Sequence, residues 1–77
     1  MDNPEREKMV SIYDLDNNAV AVVEYVFDFR AEEMGLLKGV EVQILQSGNP
    51  CIVKLNGFTK RIYSKLCIGH IDVLVSQ

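Results

Sequence analysis

Arg30-Ala31-Glu32-Glu33-Met34-Gly35-Leu36-Leu37-Lys38-Gly39 decides the fold. It reads as a short helix that stops on one glycine, then a tight turn that stops on a second, with a strand directly beyond. Just upstream, Asp28 is an N-cap residue, because its carboxylate accepts from the free N–H groups of a first helical turn. Phe27, Ala31 and Met34 follow a four-then-three spacing and form one apolar stripe, with Arg30, Glu32 and Glu33 off it. Gly35 suits the left-handed position that ends a helix, and Leu36 then folds back onto Ala31 in a Schellman contact. Gly39 fits position i+2 of a type II turn, where positive φ is needed. Such a helix does not hold alone in water, where isolated helices need roughly 12–15 residues to be marginal. It must be docked on something, and the flanking chain has to supply it.

The flanking chain reads as strands. Residues 40–46 give the clearest signal: Val40, Val42 and Ile44 alternate with Glu41 and Gln43. Ser47-Gly48-Asn49-Pro50 is a turn cluster of hairpin length. Residues 51–56 return as the partner strand, with Cys51, Val53 and Leu55 on one face and Lys54 and Asn56 on the other. Gly57 permits a bend or bulge, and residues 58–63 form a more polar strand near an edge. Residues 64–70 are a connecting turn, too short for a full helix. Residues 71–75 close the series with Ile71, Val73 and Val75 inward. On the N-terminal side, residues 19–27 are rich in β-branched and aromatic residues and form a strand. Apolar residues sit on both of its faces, so it is expected to be covered on both sides, with a subunit contact as the alternative. Ser11-x-x-Asp14 has capping spacing for a brief helical turn anchored by Leu15. Asp16-Asn17-Asn18 is a turn in which Asn18 tolerates positive φ. Residues 1–8 are charged and are expected to form a loose arm before a single domain over residues 9–77. The expected fold is mainly β: a small five-stranded antiparallel barrel with one short α-helix.

The chain has 77 residues and a net charge of −3, from eight basic and eleven acidic residues. That balance argues against nucleic acid as a partner, since phosphate is bound by a basic surface. The basic cluster Lys60, Arg61 and Lys65 reads as a solvated edge. No stretch reaches the roughly 18–20 apolar residues of a membrane-spanning helix, and the polar N-terminus has no signal-peptide core. A cytoplasmic protein with both cysteines reduced is expected.

Catalytic chemistry has little to stand on. There is one histidine, no nucleophile elbow and no Gly-rich phosphate loop, and Glu32 and Glu33 project to different sides of the helix. An enzyme is not expected. Cys67-x-x-His70 is half of a zinc-site spacing, with Cys51 as a third ligand if its strand lies adjacent and Asp72 or water completing an open site. The competing reading makes Cys67 a small core residue and His70 a surface turn residue.

The ordered series Arg30, Met34-Gly35-Leu36, Gly39, Val42, Pro50, Val53, Gly57, Ile71 and Val73 resembles the FeoA family, the small ferrous iron transport protein A. That family carries an Arg-Leu-x-x-Leu/Met-Gly-Leu-x-x-Gly-x-x-Val signature, then a Gly-Pro hairpin, a strand turning on Gly and a closing Ile-x-Val strand. Here Ala31 stands for the usual Leu, Asn18 for a Gly and Lys38 for a frequent Pro. The segment between the first strand and the helix is shorter than usual, and Ile68-Gly69 lengthens the last connection. Cys67 falls near a position often filled by Ala, which favours its core reading. The resemblance implies an SH3-like barrel whose motif residues Arg30, Met34, Gly35, Gly39 and Gly57 set its geometry. It implies a cytoplasmic accessory of the FeoB ferrous iron transporter, acting on that transporter's GTPase-bearing domain. The module is also similar to the SH3-like domain of DtxR-type metal-dependent repressors.

Two classes of function follow. As an interaction module, the protein would present Leu36, Leu37 and Val26 to a partner. As a metal sensor, it would hold a divalent transition metal, iron or zinc, on Cys67, His70 and Cys51. Weak self-association through an open edge strand is a third, lesser expectation.

Overall fold

The computed structural model describes residues 7–76. In chain order it contains β1 (Glu7–Ser11), a 3₁₀ turn (Ile12–Asp14), β2 (Val20–Val26), α1 (Phe29–Glu33), β3 (Glu41–Gln46), β4 (Cys51–Leu55), β5 (Thr59–Tyr63) and β6 (Ile71–Ser76). The strands form one sheet in the order β1-β6-β2-β3-β4-β5, with every neighbouring pair antiparallel. The architecture is mainly β with one short helix, as expected, but with six strands rather than five and a barrel that is not closed. The added strand is β1, which pairs with β6 from Glu7 opposite Ser76 to Ser11 opposite Asp72. Glu7 and Lys8 were expected in the loose arm and lie in this strand; residues 1–6 fall outside the described residues. Charged residues hide an edge strand whose pairing is set by a partner more than sixty positions away.

The core follows the period-two pattern. Val42 and Ile44 from β3, Cys51, Val53 and Leu55 from β4, and Ile71 and Val73 from β6 are all buried. Ile12, Leu15, Ala31 and Leu36 cover them from the connections. Burying one such aliphatic side chain is worth about 1.5–3 kcal/mol. The expected cap on the 3₁₀ turn is present, with the Tyr13 N–H donating to Ser11 Oγ at 3.3 Å. Asn18 takes φ of 71° in the turn before β2.

β2 departs from expectation. It is buried on one face only, through Ala21 and Val23, while Val20 and Tyr25 are exposed. The register against β6 slips between Val23 and Tyr25, so Val23 opposes Val73, Tyr25 opposes Asp72 and Val26 opposes Ile71. This bulge at Glu24 turns Val26 toward the core and Tyr25 outward. The turn after β4 also differs. Asn56 and Gly57 both have positive φ, at 50° and 79°, and the Phe58 N–H donates to the Leu55 carbonyl at 2.9 Å. The pair forms a tight hairpin turn, as Asn-Gly does by preference, where a bend at Gly57 alone was expected.

Candidate functional site

The helix-stop corner assembles from local chemistry. Asp28 is extended, and its Oδ1 accepts from the Arg30 N–H at 2.9 Å. The Arg30 guanidinium returns to the same carboxylate, Nη2 to Oδ2 at 2.6 Å. These two hydrogen bonds, the side-chain one foremost, hold the Asp28 carboxyl below its ordinary range. At the other end, the Gly35 N–H donates to the Glu32 carbonyl and the Leu36 N–H to the Ala31 carbonyl, at 3.0 and 2.9 Å. Gly35 has φ of +102°, which completes the expected Schellman ending. A Cβ on Gly35 would stand 2.9 Å from Leu55 Cδ1, so the glycine also lets the helix end sit directly on β4. The Val40 N–H donates to the Leu37 carbonyl at 3.0 Å, with Gly39 at φ +93°, closing the expected second turn.

This geometry separates the two leucines. Leu36 is fully buried beside Ala31 and is core, so its assignment to a partner surface is corrected. Leu37 is 52% exposed. It sits between the two glycines, and the Gly39 N–H donates to the Val23 carbonyl at 2.8 Å, which fastens the corner along β2. Lys38 Nζ lies 3.5 Å from Glu24 Oε2, a surface pair worth at most about 1 kcal/mol. Val26 is half-buried and packs against the core, so it offers a partner little. Phe27, expected on the inner helix stripe, is 60% exposed and instead packs edge-to-face against Tyr25 and His70. The reason is that the chain leaves β2 in its post-bulge phase, which turns Phe27 with Tyr25 outward.

The proposed metal ligands do not converge. Cys51 is buried in the core, where burial pushes its thiol up. Cys67 is exposed, which corrects its core reading. His70 is half-buried, with Nε2 2.6 Å from Asp72 Oδ1. Among the described residues no three His, Cys, Asp or Glu side chains form a metal-holding group. The helical turn over residues 64–69 explains the cysteine: Ile68 takes the inward place and leaves Cys67 on the outer side.

The structure adds a feature that the sequence reading missed. The open end of the barrel, between α1 and β5, holds two adjoining clefts. The inner one, about 310 Å³, is lined by residues that include Glu33, Leu55, Phe58 and Thr59. The outer one, about 410 Å³, is lined by Met34, Ile52, Lys60, Arg61 and Ile62. Met34 and Arg61 line both. Tyr63 fixes this end, its hydroxyl donating to the Met34 carbonyl at 3.0 Å and satisfying one of the last carbonyls of the helix. Burial pushes the Tyr63 phenol up to about 12. The signal available in the sequence was Asn56-Gly57, which folds β5 back along β4 and leaves its far side unpaired.

Compared with known proteins, the chain matches no family model and no curated protein sequence. Among solved structures it is similar to the crystal structure of the iron uptake regulatory protein FeoA, with a TM-score of 0.73 and 22% identity over 91% of this chain and 99% of that one. At this identity the likeness is one of fold. It gives the SH3-like small β architecture that the corner motif implied.

Proposed function

We propose that this chain is an FeoA-type accessory of ferrous iron uptake, a non-catalytic interaction module that docks on the cytoplasmic GTPase-bearing domain of a FeoB-type transporter. The observation that carries the reading is the fold likeness to FeoA across nearly the whole of both chains, together with the two-glycine corner. The corner supports a docking role because it rigidly presents Leu37, an exposed aliphatic side chain between two fixed turns. No helix among the described residues is long and apolar enough to cross a membrane, which suits a module that acts from the cytoplasmic side.

The test is Leu37→Glu. Affinity for the purified cytoplasmic domain of a FeoB-type transporter should fall at least about tenfold, a change of 1.4 kcal/mol. Iron uptake should fall with it, while the circular dichroism spectrum and melting temperature stay at wild-type values. Wild-type uptake and affinity in a folded Leu37→Glu protein would refute the docking role. Repeating the titration with and without Fe(II) examines the sensor alternative, which requires the affinity to change with metal.

A further inference from the structure

We infer that the free edge of β5 is a docking site for an extended acidic peptide segment, which adds as a further antiparallel strand. β5 ends the sheet, so one row of its N–H and C=O groups has no strand partner. Four of its five residues are exposed, and only Tyr63 is buried. The edge runs between the two clefts that meet at Met34 and Arg61. An added strand therefore finds main-chain partners along its length and apolar recesses beside it, the usual source of affinity and specificity in strand addition.

Charge selects the occupant. The chain is acidic overall, yet Lys54, Lys60, Arg61 and Lys65, half of its basic residues, lie on the β4–β5 hairpin and the turn after it. Among the described residues the close cation–carboxylate contacts are Asp28–Arg30 and Glu24–Lys38, with His70 hydrogen-bonded to Asp72, so within that set none of these four cations has a carboxylate partner. Lys54 stands directly opposite Lys60. Like charges in that position cost stability in the isolated protein, and carboxylates arriving on the same face relieve the cost.

Edge lysines are also a known guard against strand-to-strand aggregation. A guard alone would not sit beside apolar residues, whereas Ile62 is 58% exposed, stands opposite Ile52 and lines the outer cleft with Met34. A second copy of this chain is disfavoured, because antiparallel pairing of β5 about its middle sets either Arg61 against its own copy or Lys60 against Arg61 of the other. Nucleic acid is disfavoured by the net charge of −3. Lys54 and Lys60 share the outer face and the cleft lined by Leu55 and Phe58 lies on the other, so an acidic peptide with alternate apolar residues satisfies the backbone, this lysine pair and that recess together.

The experiment is titration of the isotopically labelled protein with a short synthetic peptide alternating glutamate with valine. Saturable shifts centred on the amides of Thr59–Tyr63 are expected, weakening as salt rises. A lysine–valine peptide should not bind. Methylation of alternate peptide nitrogens, and the double substitution Lys60→Glu with Arg61→Glu, should each lower affinity at least about tenfold. Leu37→Glu should leave it unchanged, which separates this site from the corner. The inference is overturned by an absence of saturation, by shifts centred elsewhere, by an N-methylated peptide or a charge-reversed protein that binds as well as the parent, or by tighter binding of a single-stranded oligonucleotide.

Discussion

β1 and β5 are the two edges of one sheet, and they are built differently. β1 pairs with β6 along its whole length, and its Val10 packs against the core. β5 pairs with β4 just as fully, yet gives the core a single side chain, Tyr63. Each edge is pinned by one tyrosine. Tyr13, just after β1, donates to the Gly69 carbonyl at 2.8 Å, and Tyr63 donates to that of Met34 at 3.0 Å. Each edge leaves one row of main-chain groups without a strand partner, but β1 sends Val10 against the core while β5 reaches it only at its last residue.

Tyr63→Ala is the severest way to break the comparison. It empties a fully buried aromatic site and orphans the Met34 carbonyl, so a loss of about 3–5 kcal/mol in urea unfolding is expected. Met9→Ala, on the exposed side of β1, should stay within about 0.5 kcal/mol. Equal losses would mean that the two edges are held alike.

Alkali gives the next largest effect. Burial raises both Tyr13 and Tyr63 to about 12, with Cys51 and Cys67 adding to the effect at Tyr13. Unfolded tyrosine ionises near pH 10, so between about pH 10 and 12 the native state holds protons that the unfolded chain has released. Stability is therefore full below pH 10 and falls as pH rises through that window, by roughly 1–3 kcal/mol for each tyrosine. Unfolding followed across the window in Tyr13→Phe and Tyr63→Phe should show each removing about half of the slope. A flat wild-type profile would contradict the burial of both phenols.

The smallest effect sharpens the contrast. Lys60→Glu converts the Lys54–Lys60 opposition into an opposite-charge pair and should stabilise the protein by about 0.2–1 kcal/mol. A gain in melting temperature from losing a β5 cation would show that the edge trades stability for its charge. A loss would place that lysine in the folded state's own favourable contacts.

Most of the fold was legible where local chemistry decides. The Asp28 cap, the Gly35 ending, the Gly39 turn and the alternation through Val42, Ile44, Cys51, Val53 and Leu55 all depend on neighbours in sequence. β1 was not legible, since its strand state is conferred by β6. Leu36 and Leu37 are chemically identical, and only the Schellman geometry separates the buried one from the exposed one. The cysteines defeated composition for a similar reason: the turn before β6 gives its inward place to Ile68, and Cys67 is left outside. Of the candidate site, the sequence held Leu37 and the basic residues of β5. The clefts beside those basic residues exist only once α1 and the hairpin are side by side.

The bulge at Glu24 acts on β2 as a change of parity. Before it, odd-numbered residues Ala21 and Val23 face inward; after it, the even-numbered Val26 does, and Tyr25 faces out toward Phe27 and His70. The aromatic cluster on the outer surface thus owes its position to a count of residues, not to any affinity of its own for water. Lengthening or shortening this strand by one would exchange the inside for the outside over everything between Glu24 and the helix. The tolerance of this segment to substitution and its tolerance to insertion are therefore separate quantities, and the second is the smaller.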